Sequence, residues 1–335
     1  MKRNPGHRWL VVAGLALLLG GLSLPAQSIF GTLGDPVPPE VENIYQKGLN
    51  YLISSQGKEG GWNDGYGSQP GVVALAMMAI LAHGEDPNYG PYADSVKRCL
   101  NAILRQQNPA NGYIGGSMYN HGFATLGLAE AYGYVQDERI GPALERAVGL
   151  ILSSQESNPY GAWRYNPGGN DADTTVSGAC LVALYAAQNA GVAVPPKAIE
   201  RALKYYTTCA CPEGGFGYTS ADSPNGPRAA IGILVFALAR RYQSREMTKA
   251  LEWFRTNGTG QDEHYYFYYL YYAAQALFQT DMAYWREWNS QNTARLRQIQ
   301  HENGSFKGNH GEAFSTAAAL LSLALNYRFL PIYER

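Results

Sequence analysis

Two kinds of helical pattern alternate along this chain. In residues 39–55, Val41, Ile44, Tyr45, Leu49, Leu52 and Ile53 fall at helical spacing with charged residues between them. That spacing predicts an amphipathic helix with one face on a core. Residues 71–82 are apolar nearly throughout, and a helix apolar all round must be buried on every side. The alternation recurs. Amphipathic segments at 92–107, 139–155, 196–208, 245–256 and 285–300 are followed by apolar ones at 122–135, 172–190, 228–242, 265–279 and 312–326.

The turn between each pair follows one theme, a Gln at the end of the amphipathic helix, then Gly, then an aromatic. It reads Gln56 to Gly60-Gly61-Trp62, Gln107 to Gly112-Tyr113, Gln155 to Gly161-Ala162-Trp163, and Gln300 to Gly304-Ser305-Phe306. The fourth turn, Gly214-Gly215-Phe216, has a cysteine region in place of the Gln, and the fifth is Asn257-Gly258. The aromatic turns lie about fifty residues apart, a period that signals a helical repeat architecture. Six amphipathic helices alternating with six buried ones predict an all-α fold, an α6/α6 toroid of six hairpins, as a single domain over 39–335. The longest turn, Gly161 to Thr175, delivers Asp171 and Asp173 to the start of an inner helix.

Composition adds location. Lys2, Arg3 and Arg8 precede the apolar run Trp9–Leu24, and Ala26-Gln27-Ser28 carries small residues at both cleavage positions, so residues 1–28 are expected to be an export signal. Residues 29–38 then form a Pro-rich leader, and the mature chain is expected outside the cytoplasm, with a retained N-terminal anchor as the alternative. Losing three positive charges takes the formal net charge from -1 to -4. A weakly acidic chain excludes nucleic acid as a partner, and no other segment is apolar enough to span a bilayer. Four cysteines, Cys99, Cys180, Cys209 and Cys211, are too few for a disulfide scaffold. They are expected to be buried or bridged, with Cys209 and Cys211 the pair for a bridge.

The turns Gln56-x-x-x-Gly60-x-Trp62, Gln155-x5-Gly161-x-Trp163 and Gln300-x-x-x-Gly304-x-Phe306 resemble the QW motifs of the squalene-hopene cyclase, oxidosqualene cyclase and protein prenyltransferase superfamily. The stretches Tyr119–Leu126, Asp173–Gly178, Tyr265–Tyr269 and Tyr327–Pro331 are similar to exported bacterial prenyltransferase/squalene-oxidase repeat proteins. The resemblance implies the toroid, and implies that Gln56, Trp62, Gln155, Trp163, Gln300 and Phe306 tie hairpins together. It further implies a class II cyclase, in which the middle aspartate of Asp-x-Asp-Asp protonates a polyisoprenoid in an aromatic cavity. Asp171-Ala172-Asp173-Thr174 matches that motif except at its last position, which places Asp173 at the proton donor. Read from physical chemistry alone, Asp171 or Asp173 is equally an N-cap, because a helix N-terminus favours a charged carboxylate.

His121, at the start of the neighbouring inner helix, is expected to face Asp173 across the mouth. Tyr265, Tyr268, Tyr269 and Tyr272 share a helical face, and with Trp163 and Tyr165 they are the candidate ligand contacts. A packed aromatic core is the competing reading of the stripe. The zinc ligands of protein prenyltransferases have no full counterpart: Asp262-Glu263-His264 lacks the thiolate, and Ser315 stands near the place of the last histidine, with His310 a turn early. No metal or cofactor is therefore expected. The leading expectation is an apolar lipid or isoprenoid ligand, with cyclisation by Asp173 as its catalytic form. The rivals are a non-catalytic scaffold and a carbohydrate-active α6/α6 enzyme, for which Asp64, Asp171, Asp173 and Glu312 would converge at the mouth.

Overall fold

The apolar stretches fold as α2 (Pro70–Leu81), α4 (Met118–Ala131), α6 (Thr174–Asn189), α8 (Gly226–Leu238), α10 (Tyr266–Thr280) and α12 (Glu312–Leu323) in the computed structural model, which describes residues 36–258 and 263–333. The expected signal and most of the leader lie outside the described residues, as does Asp262. The amphipathic stretches fold as α1 (Pro39–Ser55), α3 (Ala93–Arg105), α5 (Ile140–Ser157), α7 (Pro196–Thr208), α9 (Arg245–Asn257) and α11 (Met282–Ile299). The fourth inner helix begins and ends two to four residues earlier than its pattern predicts, because Asn225 caps it and Pro227 starts it.

Each inner helix packs on the next, α2 on α4, α4 on α6, α6 on α8, α8 on α10, α10 on α12, and α12 back on α2. The ring is closed. Each outer helix lies against the inner ring, and every residue of α2 is buried, as an all-apolar helix between two layers requires.

The glutamine turns explain how the units stay in register. Gln56 Nε2 donates to the Gly60 carbonyl of its own turn and to the Ser95 carbonyl of α3. Gln107 does the same to Gly112 and Ala143 of α5, and Gln155 to Gly161 and Ala198 of α7. Gln300 donates to Gly304 and, closing the circle, to Ile44 of α1. These amides satisfy carbonyls that helix packing would otherwise leave orphaned. The turn glycine is held by the same contact: Gly60 and Gly304 have φ of 89° and 88°, and a Cβ there would lie 2.1 Å from the carbonyl oxygens of Arg98 and Lys47. Both constraints admit glycine alone. Trp62 and Trp163 complete the turns by donating indole N–H groups to Leu52 and Ile151 carbonyls.

Inside the ring, the half away from the helix N-termini is filled. Tyr271 and Tyr272 meet edge to face at 4.8 Å, Phe123 meets Tyr271 at 6.0 Å, and Tyr268 sits on Tyr272 at 5.0 Å. The C-terminal segment closes that end: Ile332 N–H donates to Glu130 Oε2, and Ile332 and Tyr333 are buried. The four cysteines are buried free thiols, so of the two expectations, buried or bridged, the structure has the first, and Cys209 and Cys211 are not joined. Burial pushes the Cys99 thiol up to about 12 and Cys211 to about 11. No described helix is long and apolar enough to cross a membrane.

Candidate functional site

The inner helices all begin at one mouth, and their caps set its geometry. Ser117 caps α4, Asp173 caps α6 and Asn225 caps α8, each accepting backbone N–H groups of the first turn. Asp173 is wholly buried. Its Oδ1 accepts from Thr175 N–H at 2.8 Å, Val176 N–H at 2.8 Å and the Thr175 hydroxyl at 2.6 Å; its Oδ2 accepts from Arg164 Nη1 at 3.0 Å. Every hydrogen bond of the Asp173 carboxylate is one it accepts, while the backbone N–H donates to the Trp163 carbonyl. Asp171, more than half exposed, takes Arg164 Nε at 3.1 Å.

Arg164 is thus clamped between two carboxylates, and its guanidinium lies 5.0 Å from the ring centres of both Tyr165 and Tyr218. Those two rings, joined hydroxyl to hydroxyl at 2.9 Å, form one wall of a cavity. The cavity has a volume of about 650 Å³ and draws on all six inner units: Gly71, Val72 and Leu75 of α2, Tyr119, Asn120 and Phe123 of α4, Thr175 of α6, Pro227 and Arg228 of α8, Tyr268 of α10 and Phe314 of α12. Tyr66, Tyr165, Tyr218, Tyr265 and His310 surround the opening. Tyr119 and Tyr268 share a hydrogen bond of 2.6 Å between hydroxyls and make its floor. Burial raises both phenols well above their ordinary range, so they stay protonated donors.

The polar groups in the lining are tied to one another. Asn120 Nδ2 donates to Gln69 and Ser117, and its Oδ1 takes Gly71 N–H; Asn225 Oδ1 takes both the backbone N–H and Nε of Arg228. What faces the open volume is mainly aromatic ring surface.

Several expected contacts are placed elsewhere. His121 does not face Asp173: it is wholly buried, Nδ1 accepting from Ile114 N–H at 3.1 Å and Nε2 donating to the Ala147 carbonyl at 3.0 Å. It fastens a turn to the helices on either side, and burial lowers its pKa to about 4. Trp163 is outside the cavity because its indole is committed to Ile151. Tyr269 turns outward, where its hydroxyl takes the Trp288 indole N–H at 3.3 Å, and Tyr272 lies beneath the floor. The tyrosine stripe therefore divides, with Tyr265 and Tyr268 on the cavity, Tyr269 towards α11 and Tyr272 in the packed core.

The four carboxylates expected to converge do not line the cavity. Asp64 Oδ2 accepts from Ala313 N–H at 2.7 Å, fixing the start of α12 next to Glu312, while Asp171 and Asp173 are spent on Arg164. His264 and His310 stand at the rim with ring centres 5.8 Å apart, and Ser315 Oγ bonds back to the Gly311 carbonyl. No group of three His, Cys, Asp or Glu side chains suited to a metal comes together among the described residues.

Sequence reasoning missed Arg164, Tyr218 and the polar use of His121. A signal was present for each. Trp163-Arg164-Tyr165 and Phe216-Gly217-Tyr218 both set a tyrosine two residues past the turn aromatic. His121 occupies the first-turn position where Ser177 of α6 and Thr316 of α12 accept from Trp163 N–H and Phe306 N–H.

Solved structures share this architecture at low identity. The type II terpene cyclase MstE from Scytonema, in a complex with geranylgeranyl dihydroxybenzoate, is 16% identical, with a TM-score of 0.60 over 87% of this chain and 98% of that one. The GH76A alpha-1,6-mannanase from Salegentibacter sp. HEL1_6 is 11% identical, with a TM-score of 0.61 over 85% and 98%. A protein from Actinoplanes is 12% identical, with a TM-score of 0.58 over 86% and 99%. At these identities the likeness shows the fold alone. A comparison with curated proteins finds no significant match. Residues 72–262 and 257–332 match the prenyltransferase alpha-alpha toroid domain, and with the closed ring and its glutamine ties this places the chain in that family.

Proposed function

We propose that the mouth cavity binds an apolar ligand of polyisoprenoid type. One observation carries the reading: about 650 Å³ is lined by aromatic rings from the turns and helices of all six hairpins, while the lining amides and the Arg228 guanidinium are bonded to one another. The volume falls within the ~300–1,000 Å³ of small-molecule sites. Such a surface rewards burial of hydrocarbon and offers few polar groups to fix a sugar. The mannanase shares the toroid and an inactive variant of it is complexed with alpha-1,6-mannotriose; here no carboxylate lines the cavity. The MstE complex, which carries a geranylgeranyl chain in the same architecture, supports the ligand class.

Binding is favoured over turnover. A proton donor to an alkene must hold its proton towards the substrate, whereas Asp173 is wholly buried outside the lining and accepts four hydrogen bonds. Its role in this reading is to seat Arg164 behind Tyr165 and Tyr218. We propose the exported location on residues 1–28 alone.

The test incubates purified chain with squalene and with a geranylgeranyl-bearing aromatic acid, and follows retention and products by mass-resolved chromatography. Unchanged lipid that co-purifies with the protein supports the binding reading. An isomeric product lost in Asp173→Asn would establish a cyclase instead, and neither product nor retained lipid would leave a scaffold.

A further inference from the structure

Two of the six joints lack the glutamine tie, the cysteine turn and the turn at Asn257. Where the glutamine turns reach the next outer helix, Asn257 bonds back into its own helix, to the Trp253 carbonyl and the Thr256 hydroxyl. A groove of about 820 Å³ lies beside α10 and α11. It is separate from the central cavity, from which it is divided by the body of α10: Tyr268 faces one, Tyr269 the other.

The groove has a definite chemistry. Tyr266, Tyr284 and Trp288 present rings along it, and the Trp288 indole N–H is already used by Tyr269. Asn292 lines it at 5% exposure; its Nδ2 donates to Ser322 Oγ at 3.0 Å, while its Oδ1 is buried without a donor. A buried acceptor left open in this way asks for a hydroxyl or N–H from a bound molecule. At the edge stand Arg295, His301 and Lys307, exposed, and no described lining residue is acidic.

We propose that this groove binds an acidic oligosaccharide. Flat sugar faces stack on Tyr and Trp rings, a ring hydroxyl donates to Asn292 Oδ1, and a carboxylate or sulfate on the sugar meets Arg295 and Lys307. A plain hydrocarbon would leave the Asn292 acceptor empty and the cations unused. A neutral sugar would use the rings and the amide and forgo the charge. The site stands independently of the central cavity and of whatever fills it.

The experiment titrates the purified chain with trigalacturonate, with its neutral counterpart galactotriose, and with inorganic phosphate, reading tryptophan fluorescence and calorimetric heat. Trigalacturonate is expected to bind about tenfold or more tighter than galactotriose, with phosphate alone not competing. The double variant Arg295→Gln, Lys307→Gln, at exposed positions of which Arg295 also bonds Tyr266, should lose that advantage and keep the fold, checked by its unfolding midpoint. Tyr265→Ala, at the other mouth, should leave the saccharide affinity unchanged. Equal affinity for the neutral sugar, full competition by phosphate, no binding at all, or loss of binding in Tyr265→Ala would each overturn the proposal.

Discussion

The hydroxyl of Tyr119 lies 2.6 Å from that of Tyr268, and the bond spans the inner ring, since α4 and α10 stand opposite each other in the closed circle. Above it the ring is an open aromatic chamber; below it the ring is packed with Tyr271 and Tyr272. The pair is a floor. Tyr119→Phe and Tyr268→Phe should each cost about 1 kcal/mol, a typical net hydrogen bond, and the double variant should cost clearly less than their sum. A double-mutant cycle by urea unfolding measures this. Tyr268→Ala should deepen the chamber towards Tyr272 and shift lipid retention to longer chains, read by extraction and mass analysis.

Asp173 and Arg164 yield a prediction that separates structure from chemistry. Asn is as good an N-cap as Asp, so Asp173→Asn keeps the helix start and loses the charge that holds Arg164. About 2 kcal/mol of stability should go with it, and more in Asp173→Ala, which also leaves Thr175 and Val176 N–H groups unpaired. Denaturant midpoints give the order. If Asp173→Asn proved more stable than the natural chain, the carboxylate would be held at a cost to the fold, the usual mark of a functional site.

Ring closure can be weighed turn by turn. Gln155 is wholly buried, with Nε2 on two carbonyls and Oε1 taking Arg201 at 3.0 Å, whereas Gln56 is partly exposed. Gln155→Ala should cost roughly 2–4 kcal/mol, since it strands two buried acceptors and a guanidinium, and Gln56→Ala about half that. Thermal unfolding of the two variants side by side decides it. Equal losses would mean that helix packing, not the amide, carries the joint.

The ring was legible because its evidence is periodic. All-apolar runs such as Pro70–Leu81 can only be inner helices, and repeated Gln–Gly–aromatic turns set the unit length. Directions of single side chains were not legible. Tyr268 and Tyr269 are adjacent on one helix, yet one looks into the cavity and the other towards α11, a division that depends on where the helix axis lies. The role of Asp173 hung on a partner, Arg164, that the motif does not contain. His121 was misplaced because a histidine at a helix start reads alike whether it faces a cavity or a backbone carbonyl. Its equivalence with Ser177 and Thr316 becomes visible once the units are superimposed by their turns.

His121 therefore supplies a pH dependence that comes from the fold and not from a catalytic group. Its Nδ1 must stay unprotonated to accept Ile114 N–H, and burial, opposed by the hydrogen bond to Ala147, lowers its pKa from 6.5 to about 4. Above pH 6.5 both folded and unfolded chains hold it neutral, and it adds no slope. As the pH falls from 6.5 to about 4 the unfolded chain takes up a proton that the folded chain refuses, so stability drops through that window. The full span of 2.5 pH units corresponds to about 3 kcal/mol. Urea midpoints measured between pH 7 and pH 4.5 should show this fall. In His121→Gln, whose amide oxygen can still accept from Ile114 but cannot take a proton in this range, the slope should flatten by the share of one titrating group. A variant with an unchanged slope would show that His121 is not the group behind the acid sensitivity.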